Sequence, residues 1–237
     1  MATFVLVSGA WHAAWCWERI VPVLQALGHR VIAPDLLGMG PDPTPLGEVS
    51  LSRWADQVAD LVRGEAEPVI LVGHSRGGIV ISEAAERVPE RIQRLVYLAA
   101  FMLRDGETMV GALQEGEERR GFLEFGPDDT LTVLATEVGP TLYNKTPPEW
   151  VRRAASLLSP EPMTVFSTPL ELSDGRFGRV PRAYIECAED WAVPLKLQRL
   201  FQTRLPCDVV TTLDTDHSPF YSAPEALAVA LIEIAAR

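Results

Sequence analysis

A serine stands between glycines in Gly73-His-Ser75-Arg-Gly77, with the apolar run Val69–Val72 before it and Ile79-Val-Ile81 after it. A serine hydroxyl is a weak nucleophile until an imidazole takes its proton, and that imidazole needs a third group to fix its tautomer. Four histidines are present. His217, in Asp214-Thr-Asp-His-Ser-Pro-Phe220, follows the last predicted strand, where a loop can reach Ser75, and it is the expected base. His12 follows the first strand on the same sheet edge and suits a supporting role. His74 adjoins the serine and is expected in packing or in the turn's hydrogen bonds. His29, in a turn at the opposite edge, reads as a solvated surface group. The orienting acid is sought in Tyr184-Ile-Glu-Cys-Ala-Glu-Asp190-Trp-Ala-Val-Pro194. Glu186 falls inside the strand. Asp190 occupies the loop beyond it and is preferred, with Glu189 as the alternative. Asp214 and Asp216 read as local loop contacts.

The pattern G-x-S-x-G, after a strand and before a helix, describes a tight turn that exposes the hydroxyl at a helix N-terminus. Free N–H groups and the helix dipole there favour developing negative charge. The competing reading makes Ser75 a plain helix cap. Acyl chemistry also needs two N–H donors on the oxyanion. Arg76, next after the serine, supplies one by its amide, while its side chain either pairs with a carboxylate of a covering segment or is solvated. Ala10, after the first strand in Val7-Ser-Gly-Ala-Trp-His12, supplies the second.

These groups must be carried by a sheet whose strand ends gather in one place. Thr3–Ser8, Arg30–Pro34, Val69–Gly73, Arg94–Phe101, Arg182–Cys187 and Asp208–Leu213 read as strands, mostly apolar on both faces. Cys16–Leu27, Leu51–Arg63, Gly77–Val88, Pro194–Thr203 and Ala223–Ala236 read as helices between or after them. Strands buried on both faces and alternating with helices imply an α/β fold, a doubly wound and mostly parallel sheet. Ligands bind at the carboxyl ends of such strands. The rhythm stops at about Arg104 and returns at Arg179. The stretch between holds Gly, Pro and Glu with short amphipathic pieces such as Glu149–Leu158, and aromatic content enough for a packed lid rather than a linker.

The totals restrict the remaining choices. The 237 residues suit one large domain, and a net charge of −11 does not favour nucleic acid or an anionic membrane as a partner. Cys16, Cys187 and Cys207 are scattered, which argues against a disulfide framework or a zinc site and for a reducing compartment. The N-terminus lacks the basic region and long apolar core of a signal peptide, and no apolar run approaches a membrane span, so a cytoplasmic protein is expected.

The chain resembles the α/β-hydrolase superfamily, and within it the small esterase and hydroxynitrile-lyase branch that includes plant methyl esterases. The resemblance runs over Val5–Trp17, Gly28–Leu36, the Ser75 turn, Ile185–Gln198 and Asp214–Pro224, and is loose between. It implies a single α/β-hydrolase domain over 1–237, with a core of 1–104 and 179–237 and a helical cap insertion over 105–178. The family's chain order of nucleophile, acid and base falls on Ser75, Asp190 and His217, and its oxyanion amides fall on Ala10 and Arg76. Two departures stand out. The family's His-Gly after the first strand is Ser8-Gly9 here, and the lyases' Lys after the base and Thr at position 9 are Ser218 and Gly9. Both lyase differences favour ester hydrolysis. The expected function is a serine carboxylesterase without metal or organic cofactor, acting on a lipophilic, aryl or methyl ester or a lactone. Trp11, Phe101, Leu142, Trp150, Phe166, Trp191 and Phe220 are its candidate pocket lining. The expected partner is the small-molecule ester, and a homodimer is compatible with the sequence. The alternatives are a hydroxynitrile lyase or other cofactor-free C–C chemistry, and a non-catalytic small-molecule receptor.

Overall fold

A computed structural model describes residues 1–115 and 120–237. The chain runs β1 (Thr3–Val7), α1 (Ile20–Ala26), β2 (Arg30–Ile32), α2 (Leu51–Arg63), β3 (Val69–His74), α3 (Gly77–Arg87) and β4 (Ile92–Leu98). An insertion follows with α4 (Met109–Glu115), β5 (Leu123–Phe125), β6 (Thr130–Val133), α5 (Pro148–Ala155), β7 (Glu161–Pro162) and α6 (Met163–Ser167). It closes with β8 (Arg182–Cys187), α7 (Leu195–Arg204), β9 (Val209–Leu213), α8 (Pro219–Ser222) and α9 (Pro224–Ala235).

Six strands form one parallel sheet in the order β2-β1-β3-β4-β8-β9. Phe4–Val7 and all of β3 are buried, as strands covered on both faces must be. Helix α1 packs on α9, and α2 packs on α3. The amphipathic α2 begins at Ser50, whose side chain accepts from the amide of Arg53. Among the described residues no helix is long and apolar enough to cross a membrane.

Register decides where the chemistry gathers. Val7 lies opposite Gly73, His74 opposite Leu98, Leu98 opposite Ile185, and Cys187 opposite Leu213. The carboxyl ends of five strands therefore line up, and the loops carrying Ala10, Ser75, Phe101, Asp190 and His217 leave from one edge. Strand β1 has β2 on one side and β3 on the other. The chain order reverses there, which is the crevice where ligands bind in open α/β sheets.

Besides shifts of a few residues at element ends, such as β2 ending at Ile32 rather than Pro34, three differences from the sequence reading stand out. The helix expected over Cys16–Leu27 is split into a 3₁₀ turn at Ala14–Trp17 and α1. Pro22 explains the break: it has no N–H to donate, so it suits the first turn of a helix and not the interior of a longer one. The fourth strand ends at Leu98 rather than Phe101, because Ala99 turns the chain with φ 45°. The insertion is not helical alone. Besides α4, α5 and α6 it holds a three-stranded antiparallel sheet in the order β5-β6-β7. Residues 116–119 of the expected cap lie outside the described residues.

Candidate active site

Ser75 takes φ 52°, left-handed backbone that a non-glycine residue adopts only under constraint. The constraint is visible. Its amide donates to Leu98 O at 3.1 Å, and its carbonyl accepts from Gly78 N at 3.0 Å and Phe101 N at 3.1 Å. The flanking glycines are needed for close approach: a Cβ on Gly73 would lie 2.6 Å from Gly77 O, and one on Gly77 would lie 2.7 Å from Val7 O. The turn thus wedges between β1 and α3 and presents Ser75, 7% exposed, at the start of α3.

His217 is buried in the loop after β9, and its Nδ1 donates to Asp190 Oδ2 at 2.7 Å. That bond leaves Nε2 as the nitrogen able to accept a proton. Asp190 is itself oriented: Oδ1 accepts the amides of Ala192 and Val193, both at 2.8 Å, and Oδ2 lies 3.4 Å from Gln198 Nε2. Glu189, the alternative acid, lies on the same loop, but its carbonyl accepts from Asn144 and its amide donates to Thr215 O. Glu186 pairs with Arg199, Gln202 and Thr212, away from His217. Asp214 meets the exposed ammonium of Lys145 at 2.5 Å.

Asp216 does more than the local contact expected of it. Wholly buried, it accepts from Ser218 N and Ser222 Oγ within its own loop, and from Lys145 N at 2.9 Å and Thr146 Oγ1 at 2.8 Å in the insertion. The base's loop is thereby fastened to the segment above it.

The other histidines are supports. His74 Nε2 donates to His217 O at 2.8 Å, with the two rings 4.6 Å apart. His12 Nδ1 donates to Ala10 O at 2.6 Å, so Nε2 accepts from Tyr143 OH at 2.5 Å. Burial pushes the His12 imidazole down to about 3 and drives that of His74 well below the usual range, so both are neutral. Ser8, in place of a histidine, donates from Oγ to His12 O at 3.1 Å. His29 is half-buried rather than solvated: its ring packs edge-on to Phe4, and Nδ1 accepts from Ala2 N.

Of the two expectations for the Arg76 side chain, a carboxylate of the insertion or solvent, the structure shows the first. Its side chain is fully buried, stacks 4.3 Å above Trp54, and pairs with Glu161 of β7 at 2.8 Å. Nη2 also donates to Gly9 O at 2.9 Å, and Glu161 Oε2 accepts from Trp11 N at 3.0 Å. Burial pushes the Glu161 carboxyl up, against the pull of Arg76 and the Trp11 amide. Nothing in Ser159-Pro-Glu-Pro-Met163 marked this carboxylate, because its partner lies 85 positions away in sequence.

Ser75, His217, Ala10 and Trp11 line one small cavity of about 30 Å³ with Phe101, Phe166, Met109, Leu113, Ala192 and Val193. Of the seven expected lining residues, Trp11, Phe101 and Phe166 face it. The other four lie elsewhere, which corrects the expectation for them. Leu142 is buried within the insertion. Trp150 packs on Tyr221 at 5.1 Å under the Arg19 guanidinium. Phe220 is buried behind the site against His74 and Trp17. Trp191 stands 49% exposed, while Ala192 and Val193 beside it turn inward on their bonds to Asp190. Leu113, Leu123 and Phe166 also bound a neighbouring groove of about 270 Å³, completed by Val110, Gln114, Phe125, Leu131 and Met163.

The parallel sheet and the strand–serine–helix turn define a fold of the α/β-hydrolase type, and residues 4–230 match the model of the alpha/beta hydrolase family, to which the chain belongs. It is 34% identical to salicylic acid-binding protein 2 of Nicotiana tabacum, over 98% of this chain and 96% of that one. It is 32% identical to methylesterase 1 of Arabidopsis thaliana, over 98% and 95%. A chloroplastic relative from the same plant is 34% identical over 98% of this chain, which spans 63% of that longer protein. The crystal structure of polyneuridine aldehyde esterase superposes with a TM-score of 0.89 and 26% identity, covering 99% of each chain. The protein is a serine ester hydrolase of this family.

Proposed function

We propose that the protein hydrolyses lipophilic carboxylic esters through an acyl-enzyme on Ser75, with His217 as the general base and Asp190 as its orienting acid. The observation that carries the reading is that Ser75, on its left-handed turn, lines the same cavity as His217, whose Nδ1 is held by Asp190. His217 Nε2 takes the Ser75 proton as Oγ attacks the ester carbonyl carbon. The oxyanion forms against the Ala10 and Arg76 amides. Collapse breaks the ester C–O bond, and His217 returns the proton to the departing alcohol. Water then attacks the acyl-enzyme by the same route and releases the acid.

The lining supports an uncharged, apolar substrate. Among the described residues, His217 is the only titratable side chain around the cavity, and Gln114 the only polar one around the adjoining groove. The names of the relatives favour a small methyl or aryl ester, whereas the groove favours an apolar arm on the acyl or alcohol side. Position 9 speaks against cyanohydrin cleavage: a Cβ on Gly9 would lie 2.7 Å from His74 Nδ1 and 2.9 Å from Ser75 Cβ, so the threonine of the lyases does not fit. The free thiols of Cys16, Cys187 and Cys207 support a reducing compartment such as the cytoplasm.

The test is hydrolysis of p-nitrophenyl esters of graded acyl length by wild type, Ser75→Ala and His217→Ala. Turnover by wild type alone is expected, with each variant reduced by about 10⁴-fold or more in kcat. Equal rates for wild type and Ser75→Ala would defeat the assignment. An inert wild type that binds an ester tightly would favour the receptor reading.

A further inference from the structure

Glu161 is a buried charge that the hydrolytic scheme does not use. It lies on β7 at the edge of the insertion's sheet, with no exposed surface. Its carboxylate collects three N–H donors from the core: Arg76 Nε on Oε1 at 2.8 Å, and Arg76 Nη2 at 3.2 Å and Trp11 N at 3.0 Å on Oε2. The same Arg76 Nη2 reaches Gly9 O at 2.9 Å.

We infer that Glu161 is a positioning residue: the insertion's carboxylate, through the Arg76 side chain and the Trp11 amide, sets the two oxyanion amides relative to each other. The inference rests on the assignment of Ala10 and Arg76 to the oxyanion. Arg76 owns one of these amides, and Glu161 grips its side chain. Ala10 owns the other, and it sits between Gly9, whose carbonyl is held by Arg76, and Trp11, whose amide is held by Glu161. One ion pair therefore clamps the peptide on both sides of Ala10 and the residue that follows the nucleophile.

A separate observation points the same way. Trp11 has φ 65°, a conformation that a bulky residue keeps only when its surroundings over-determine it. Those surroundings come from the insertion. Besides Glu161 on its amide, Trp11 O accepts from Ser159 N at 3.1 Å, and its indole Nε1 donates to Leu131 O at 2.9 Å. Leu131 is the β6 residue paired with Glu161. Trp11 N is committed to Glu161, whereas Ala10 lines the cavity beside Ser75, where its amide can face an oxyanion. The sheet edge alone does not complete the oxyanion site: the insertion supplies the clamp.

The test compares wild type with Glu161→Gln, which keeps the shape but removes the charge and one acceptor. Five quantities are read: labelling rate by a fluorophosphonate, kcat and KM for p-nitrophenyl butyrate, affinity for an aryl boronic acid, and thermal unfolding as the control for folding. Removal of an oxyanion donor costs about 10²–10³ in kcat, so a misplaced pair should cost about tenfold or more in kcat and labelling rate. KM should stay within about threefold, with boronate affinity falling alongside kcat, because a contact felt only in the transition state leaves substrate binding alone. If Glu161→Gln does not fold, the apolar pair Arg76→Met with Glu161→Met removes both charges together, which buried ion pairs often tolerate. The same split is expected there. Wild-type kcat and labelling in either folded variant, or a loss confined to KM, overturns the inference and leaves the esterase reading intact. A wild type that neither turns over esters nor is labelled overturns the hydrolytic reading, and this inference with it.

Discussion

The loop of the nucleophile and the loop of the base are each fastened to the insertion by one buried carboxylate, and the two fasteners are built oppositely. Glu161 belongs to the insertion and reaches down to Arg76 and Trp11; Asp216 belongs to the core and reaches up to Lys145 and Thr146. Glu161 is answered by a full guanidinium charge. Asp216 is answered by four neutral donors, two backbone amides and two hydroxyls. An ion pair with both members buried is unforgiving, because losing either member strands the other. A carboxylate held by several neutral donors can lose them one at a time.

This contrast is sharpest for truncation. Glu161→Ala leaves Arg76 buried and unpaired, which should cost about 3–5 kcal/mol of unfolding free energy in urea titrations. Asp216→Asn keeps one acceptor oxygen and the shape, and should cost about 1–3 kcal/mol. If the two substitutions cost the same, the distinction between the fasteners is wrong.

A third tie between core and insertion, His12 to Tyr143, titrates. With its folded-state value lowered to about 3 by burial, His12 binds a proton in the unfolded chain before it does in the folded one. The stability this imidazole contributes is therefore complete above about pH 6.5, the unfolded value, and is lost as pH falls toward about 3. His74, shifted the same way, adds to the effect. Within that window each buried imidazole contributes a slope of up to about 1.4 kcal/mol per pH unit. His12→Gln should flatten the acid limb of stability against pH measured by urea unfolding; an unchanged limb would remove His12 from the account.

What could be read from sequence divides along the same line between core and insertion. The β3–Ser75–α3 turn is local: its glycines, serine and flanking apolar runs are contiguous, and the structure puts strand, turn and helix there. The loop of Asp190 follows β8, buried almost throughout, and that of His217 follows the edge strand β9, short β-rich runs that are legible in the sequence. The insertion's sheet is not. Strands β5, β6 and β7 have three, four and two residues, too short for a period to show. The turn joining β5 to β6 places Asp128 and Asp129 at φ 57° and 52°, where Asn-Gly would have signalled a hairpin. Glu161 lay in that unread stretch. The aromatic lining was overestimated because aromatic content does not report direction: Phe220 and Trp150 pack away from the cavity, while small Ala192 and Val193 face it.

The smallest effect tests whether the Asp216 fastener yields one donor at a time. Ser222 Oγ lies 2.8 Å from Asp216 Oδ1 and 3.3 Å from Ser218 O, and its residue is half-buried at the end of α8. Ser222→Ala removes one neutral donor. Ser218 N remains on the same oxygen at 3.1 Å, and Lys145 N and Thr146 Oγ1 remain on the other. The expected loss is about 1 kcal/mol in unfolding free energy, the ordinary worth of one such bond. Ester hydrolysis should stay near wild type, since the Asp190–His217 bond is made on separate atoms. A loss as large as that of Asp216→Asn would mean that the four donors act as a single unit. The base's loop would then be clamped as rigidly as the oxyanion loop.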